Sequence, residues 1–142
     1  MAGAVGTAAI TVSQMVEMRM TGREASSSAA DAAGKVLGVQ PRDSAGQARF
    51  GTIVHWLYGT SWGALQGTLG GIGLRAPVAG AGTFAGVWGS EQVMLPALID
   101  SEPITEQQPK AIAIDVMHHV VYATATAATF AWLSRSATTR TG

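Results

Sequence analysis

A row of glycines at four-residue spacing, Gly51, Gly59, Gly63, Gly67 and Gly71, runs along one face of a helix, with His55 filling its one gap. The row lies in an uncharged stretch from Phe50 to Leu74, longer than the ~20 residues that cross a bilayer as a helix. Glycine is poor helix material in water, yet in lipid it lets two backbones approach closely. The row therefore predicts a membrane-spanning helix with a packing face, and Gly63→Leu or Gly67→Leu is expected to disrupt assembly.

Charged residues make up 13% of the chain, about half the usual share, and they are segregated along it. The 142 residues suit one domain of about four spans. The formal net charge is zero and no basic run interleaves with aromatics, which argues against nucleic-acid binding. Cysteine is absent, so disulfides, thiolate metal sites and cysteine nucleophiles are excluded. The apolar N-terminus has no basic residue ahead of it and reads as a retained helix.

The spans are placed at residues 2–20, 50–74, 77–99 and 111–133. The first is the weakest, because Gln14, Glu17 and Arg19 fall near its end; Glu17 must be buried against protein and Arg19 must snorkel. Between spans one and two, Ala29, Ala32, Ala33, Val36 and Leu37 follow helical spacing. They predict a short amphipathic surface helix or connector, opened by a Ser28–Asp31 capping box and ended by Gly38 and Pro41. The third span repeats the small-residue theme with Gly82 and Gly86, and Pro96 is expected to kink or fray its last turn. Spans two and three are so closely linked that they must be antiparallel neighbours. Residues 135–142 form a polar tail, expected to be disordered. The expected fold is thus an all-α integral membrane four-helix bundle.

Arg19, Arg23, Lys35, Arg42, Arg49 and Lys110 fall on one side of these spans, and Arg75, Arg135 and Arg140 on the other. The positive-inside rule then places both connecting loops in the cytoplasm and both termini outside. Trp56 and Trp132 read as interfacial anchors, and Trp62 and Trp88 as packing residues.

Within the spans, Glu17, His55, Glu91, Asp115 and His118 all lie within roughly 12 Å of one membrane face, given the helical rise per residue. Asp115, His118, His119 and Tyr122 share one face of span four. A charge in lipid must be paired, neutralised or hydrated, so these groups predict one inward-facing polar cluster.

Three readings of the cluster stay open. It is a hydrogen-bonded network fixing helix register; a proton or ion relay; or a metal site using His55, Glu91, Asp115 and His118. The metal reading departs from the usual bundle sites, since Thr52 rather than Glu precedes His55 by three residues. Haem held between His55 and His118 is a further option. No phosphate loop follows from the glycines near residue 70, and no nucleophile elbow is present. An enzyme acting on lipid or quinone would have this same cluster as its only candidate site.

The run from Val5 through Arg19 and Thr21-Gly22-Arg23-Glu24, the stretch His55-Trp56-Leu57-Tyr58-Gly59, then Val87-Trp88-Gly89-Ser90-Glu91 and Asp115-Val116-Met117-His118-His119 resemble small bacterial membrane proteins. The pattern is distantly similar to the YagU-type inner-membrane family. The resemblance implies a multi-pass protein of the bacterial inner membrane and supplies no catalytic residue. The leading expectation is a non-enzymatic membrane protein whose partners are the lipid bilayer and either further copies of itself or other membrane subunits.

Overall fold

A computed structural model describes residues 1–138 as five helices, with no strand among them. They are α1 (Ala2–Thr21), α2 (Ser28–Leu37), α3 (Ser44–Gly71), α4 (Ala76–Ile99) and α5 (Pro109–Thr138). The all-helical class expected from the sequence is the observed one.

Helices α1, α3, α4 and α5 form a four-membered ring. Helix α1 packs on α3 and α5, α4 packs on the same two from the opposite corner, and α2 lies across α3 and α4. All four neighbouring pairs are antiparallel. Between α1 and α3, Gly3 meets Gly63 while Thr11 meets His55; between α1 and α5, Gly6 meets Tyr122 while Ser13 meets His118. Thr83 on α4 reaches Gln66 on α3 while Ser90 meets Tyr58, and Gly80 touches Ala127 on α5 while Glu91 meets His119. The short α3–α4 link enforces the antiparallel pairing of those two, as expected.

Local chemistry sets the ends. The αL residues Gly22 and Gly38 stop α1 and α2, with φ of 72° and 66°. Asp43 caps α3 by accepting from the Gly46 amide at 2.6 Å, so this helix starts ahead of the uncharged stretch. Its other end is Gly71 rather than Leu74, because Gly73 takes φ 88°, which no longer continues a right-handed helix. The start of α2 is capped differently from the expected Ser28 box: Ser27 is the N-cap, and its hydroxyl donates to the Asp31 carboxylate at 2.7 Å. Helix α5 runs past Leu133 to Thr138; the hydroxyls of Ser134 and Ser136 donate to the carbonyls of Phe130 and Trp132, which lets serine sit within the helix. The rest of the expected tail, 139–142, lies outside the described residues.

One half of the ring is built from small residues. A Cβ on Gly63 would lie 2.7 Å from the Gly3 Cα, so α1 and α3 touch backbone to backbone there. Gly59 faces the Thr7 side chain, Gly6 faces Tyr122 and Thr126, and Gly82 and Gly86 receive Leu69, Leu65 and Trp62. The glycine row of α3 is not one uniform face. Gly51 sits under Ala30 of α2, Gly67 has the Phe130 ring 3.9 Å from where a Cβ would stand, and Gly71 faces open space.

By length and apolarity together, one helix among the described residues could cross a membrane, the segment Pro109–Ser136, whose most apolar 18-residue window has mean hydropathy 1.2. Helices α3 and α4 have the length but are diluted by Gly, Thr, Ser, Gln and Trp, residues that count little toward hydropathy.

Candidate functional site

The ionisable residues gather at the end of the ring where α2 lies. Antiparallel pairing brings there the C-terminal ends of α1 and α4 and the N-terminal ends of α3 and α5. They form three adjacent groups, because the neighbouring residues His118 and His119 turn toward different helices.

The first group joins α5 to α1. Glu17, 8% exposed, receives the Arg23 guanidinium through Nη2 at 2.8 Å and Nε at 3.1 Å, and the Thr21 hydroxyl at 2.9 Å. His118 Nε2 lies 3.8 Å from the same carboxylate, and its Nδ1 meets the Ser13 hydroxyl at 2.8 Å. Arg23 reaches Glu17 because Gly22 turns the chain back over the helix end. A guanidinium held in a fork over a nearly buried carboxylate closes this group electrically.

The second group joins α5 to α4. His119 Nε2 lies 3.2 Å from Glu91 Oε2, and its Nδ1 lies 3.3 Å from Asp115 Oδ1 and 2.9 Å from the Asp115 carbonyl. A carbonyl oxygen only accepts, so Nδ1 carries a proton and donates it. Trp88, stacked on Phe84 with centroids 5.6 Å apart, donates its indole N–H to Asp115 Oδ2 at 2.8 Å. One ligand atom from each of Glu91, Asp115 and His119 falls within 4.8 Å of the others. His119 is buried, while the Asp115 side chain is 40% exposed, so the group opens to one side.

The third group is smaller. Thr11 donates its single hydroxyl hydrogen to the Thr7 carbonyl at 2.7 Å, so the 2.9 Å contact with His55 is a bond that Nε2 of His55 donates. His55 and His118 therefore each commit a ring nitrogen to a hydroxyl of α1. Tyr122 stands apart from the carboxylates: its hydroxyl donates to the Gly59 carbonyl at 2.6 Å and ties α5 to α3 in the small-residue half.

The metal-competent donor set thus differs from the one drawn from spacing. Glu91 and Asp115 belong to it, His119 stands in it where His118 was expected, and His55 contacts α1 instead. The cause is geometric: the adjacent residues His118 and His119 stand about 100° apart around α5, and the ring has α1 on the His118 side and α4 on the side that Asp115 and His119 share. Sequence reasoning missed Trp88 as a polar partner, and also Arg23, Ser13 and Thr11. An indole N–H one turn before Glu91 is a usable signal only once α4 is known to pack on α5.

Trp56 and Trp132 are 40% and 66% exposed, and Trp62 packs edge-on against Tyr58. No protein-family model, curated protein or solved structure matches this chain.

Proposed function

We propose that the chain is a non-enzymatic multi-pass membrane protein of the bacterial inner membrane, one that self-associates or serves as an accessory subunit of a larger membrane complex. The observation that carries this reading is an inversion of burial. The largest fully buried side chains are Tyr122, Gln66, Thr7, Thr83 and Thr126, four of them polar and not aromatic. The exposed set holds Val5, Val12 and Val16 of α1, Ile53 and Leu57 of α3, Val78 and Val93 of α4, and Val120 and Trp132 of α5. Water would penalise both halves of that arrangement, since large apolar side chains are left wet and polar ones are hidden. A bilayer favours both: apolar side chains meet lipid, and hydroxyl and amide groups meet one another between helices. Residues 2–20, 50–74, 77–99 and 111–133 serve as the spans, with α2 and the α4–α5 link in the cytoplasm.

The cysteine-free chain allows a direct test. Leu74→Cys and Ser101→Cys lie in links at opposite ends of the ring, so a membrane-impermeant maleimide applied to intact spheroplasts should label the first and spare the second. Labelling of both, or release of the protein from membranes by alkaline carbonate, would refute the reading. Co-purification of unrelated membrane subunits in mild detergent would favour the accessory role over self-association.

A second reading is proton or ion transfer through the cluster. It is favoured by Glu91 and Asp115 placing two carboxylates around one imidazole, an arrangement with an unmet demand for positive charge. Proteoliposomes with a trapped pH dye distinguish it: faster proton flux than empty vesicles, abolished in Glu91→Gln, supports a relay, and identical traces for all three remove it.

A further inference from the structure

We infer that Glu91, Asp115 and His119 form a binding site for one divalent first-row transition-metal ion, with Trp88 as its positioning residue. The inference rests on the donor geometry and charge balance of these four residues, and it holds whichever membrane role the protein has.

The imidazole is set up as a ligand. His119 Nδ1 donates to the Asp115 carbonyl at 2.9 Å, so in the neutral ring Nε2 presents its lone pair, and it presents it to Glu91 Oε2 at 3.2 Å. A ring-nitrogen lone pair facing a carboxylate oxygen is repulsive unless a positive particle stands between them. Two particles qualify, a proton on the imidazole and a metal ion. An ion bound at about 2.1 Å to each, with an angle near tetrahedral, separates its donors by about 3.2–3.5 Å, the spacing observed here.

Charge decides between them. A protonated His119 against two carboxylates leaves a net charge of −1, whereas a divalent ion with a neutral His119 leaves zero. Among the described residues, no Lys or Arg forms an ion pair with Glu91 or Asp115; the nearby guanidinium of Arg23 is paired with Glu17. In a poorly solvated helix interior the neutral assembly is favoured. The supporting contacts are those that metal-binding groups use: a backbone carbonyl fixing the histidine tautomer, and an indole N–H holding the free oxygen of Asp115 at 2.8 Å. Donors spread over as much as 4.8 Å must close to about 3.2–3.5 Å around one ion, so the half-exposed Asp115 carboxylate moves inward by roughly 1 Å on binding.

One nitrogen and two oxygens, with no thiolate in the chain, suit Mn(II), Fe(II), Co(II) or Zn(II), with the remaining positions left to water. Binding displaces the proton between His119 and Glu91, so it releases acid.

The test uses the full chain, purified without a metal-binding tag in mild detergent, stripped with chelator and titrated with Zn(II) by calorimetry in two buffers of different ionisation enthalpy. The expected result is near one Zn(II) per chain, with proton release. Affinity should fall at least tenfold in His119→Ala and in the nearly isosteric Glu91→Gln, and about 10–100-fold in Trp88→Phe, which keeps the stacking on Phe84 but removes the indole donor. His118→Ala, in the neighbouring group, should bind as wild type. Absence of saturable binding by the wild-type protein overturns the assignment, as does unchanged affinity in both Glu91→Gln and His119→Ala. Equal loss in His118→Ala overturns it as well. Circular dichroism and gel filtration confirm that each variant is folded, and should His119→Ala aggregate, the result in Glu91→Gln decides.

Discussion

The two halves of the ring bury polar atoms by different means. In the half that holds Gly3, Gly6, Gly59 and Gly63, the polar groups are hydroxyls and one amide, and they bond mostly to backbone: Thr7 to the Gly3 carbonyl, Tyr122 to that of Gly59, and Thr83 with its one hydroxyl hydrogen shared between the Ala79 carbonyl and Gln66 Oε1. In the half under α2, side chains bond to side chains, and the partners are charged or chargeable. The first half tolerates no extra volume because its helices touch at the backbone. The second tolerates no unbalanced charge, because Glu17 and Glu91 are largely kept from water. Close approach and charge compensation are thus separate solutions to one constraint, a polar group between helices without solvent, and the molecule assigns one to each end.

The most disruptive break of this comparison is Gly63→Leu. Its new Cβ would stand 2.7 Å from the Gly3 Cα, and backbone cannot rotate away as a side chain can. We expect a loss of about 1–3 kcal/mol or more and a lowered thermal midpoint in mild detergent; an unchanged midpoint would show that the α1–α3 contact is not needed.

In the charged half, Arg23→Ala should rank next, because it strands the nearly buried Glu17 carboxylate without its guanidinium. Glu17→Gln should be milder, since the half-exposed Arg23 can turn to water, and the double variant should be more stable than Arg23→Ala alone. A double-mutant cycle on thermal midpoints measures this ordering, and simple additivity would mean that the pair contributes no coupling.

Smaller still is Gln66→Leu. Gln66 is fully buried, its amide nitrogen has no hydrogen-bond partner among the described residues, and Thr83 keeps its bond to the Ala79 carbonyl without it. Removing that unmet donor should leave stability unchanged or raise it by about 1 kcal/mol. A marked loss of stability would show that the Thr83–Gln66 bond is worth more than the stranded donor costs.

The smallest expected effect is Gly67→Leu, which meets only the Phe130 ring at 3.9 Å, and where leucine also helps the helix. The folded monomer should change by no more than about 0.5 kcal/mol. A loss of oligomer on a native gel with the monomer fold intact would place the open part of the glycine row against another copy.

Much of this architecture is legible in the residues. Helix ends at Gly22 and Gly38 follow from glycine's access to positive φ, and the small-residue faces of α3 and α4 follow from periodicity. Depth is legible too, since a fixed rise per residue puts Glu17, His55, Glu91, Asp115 and His118 near one end. Partner choice is not. Spacing groups Asp115, His118, His119 and Tyr122 on one face, yet each finds a different neighbour: Trp88, Ser13, Glu91 and the Gly59 carbonyl. The reach of Arg23 back to Glu17 depends on the turn at Gly22, and the glycine row's division into packed and open parts depends on which of its members α1 and α2 cover.

What the sequence alone determined, then, is an all-helical chain with its small residues on helix faces and its ionisable groups at one depth, because those properties follow from helical period and rise within single elements. The tertiary structure decided which helix stands on each side of α5, and through that the separation of His118 from His119. It thereby decided that Glu17 is compensated by Arg23 while Glu91 and Asp115 share only an imidazole. That outcome depends on distances of a few ångströms between elements far apart in the chain, and no period within one helix encodes them.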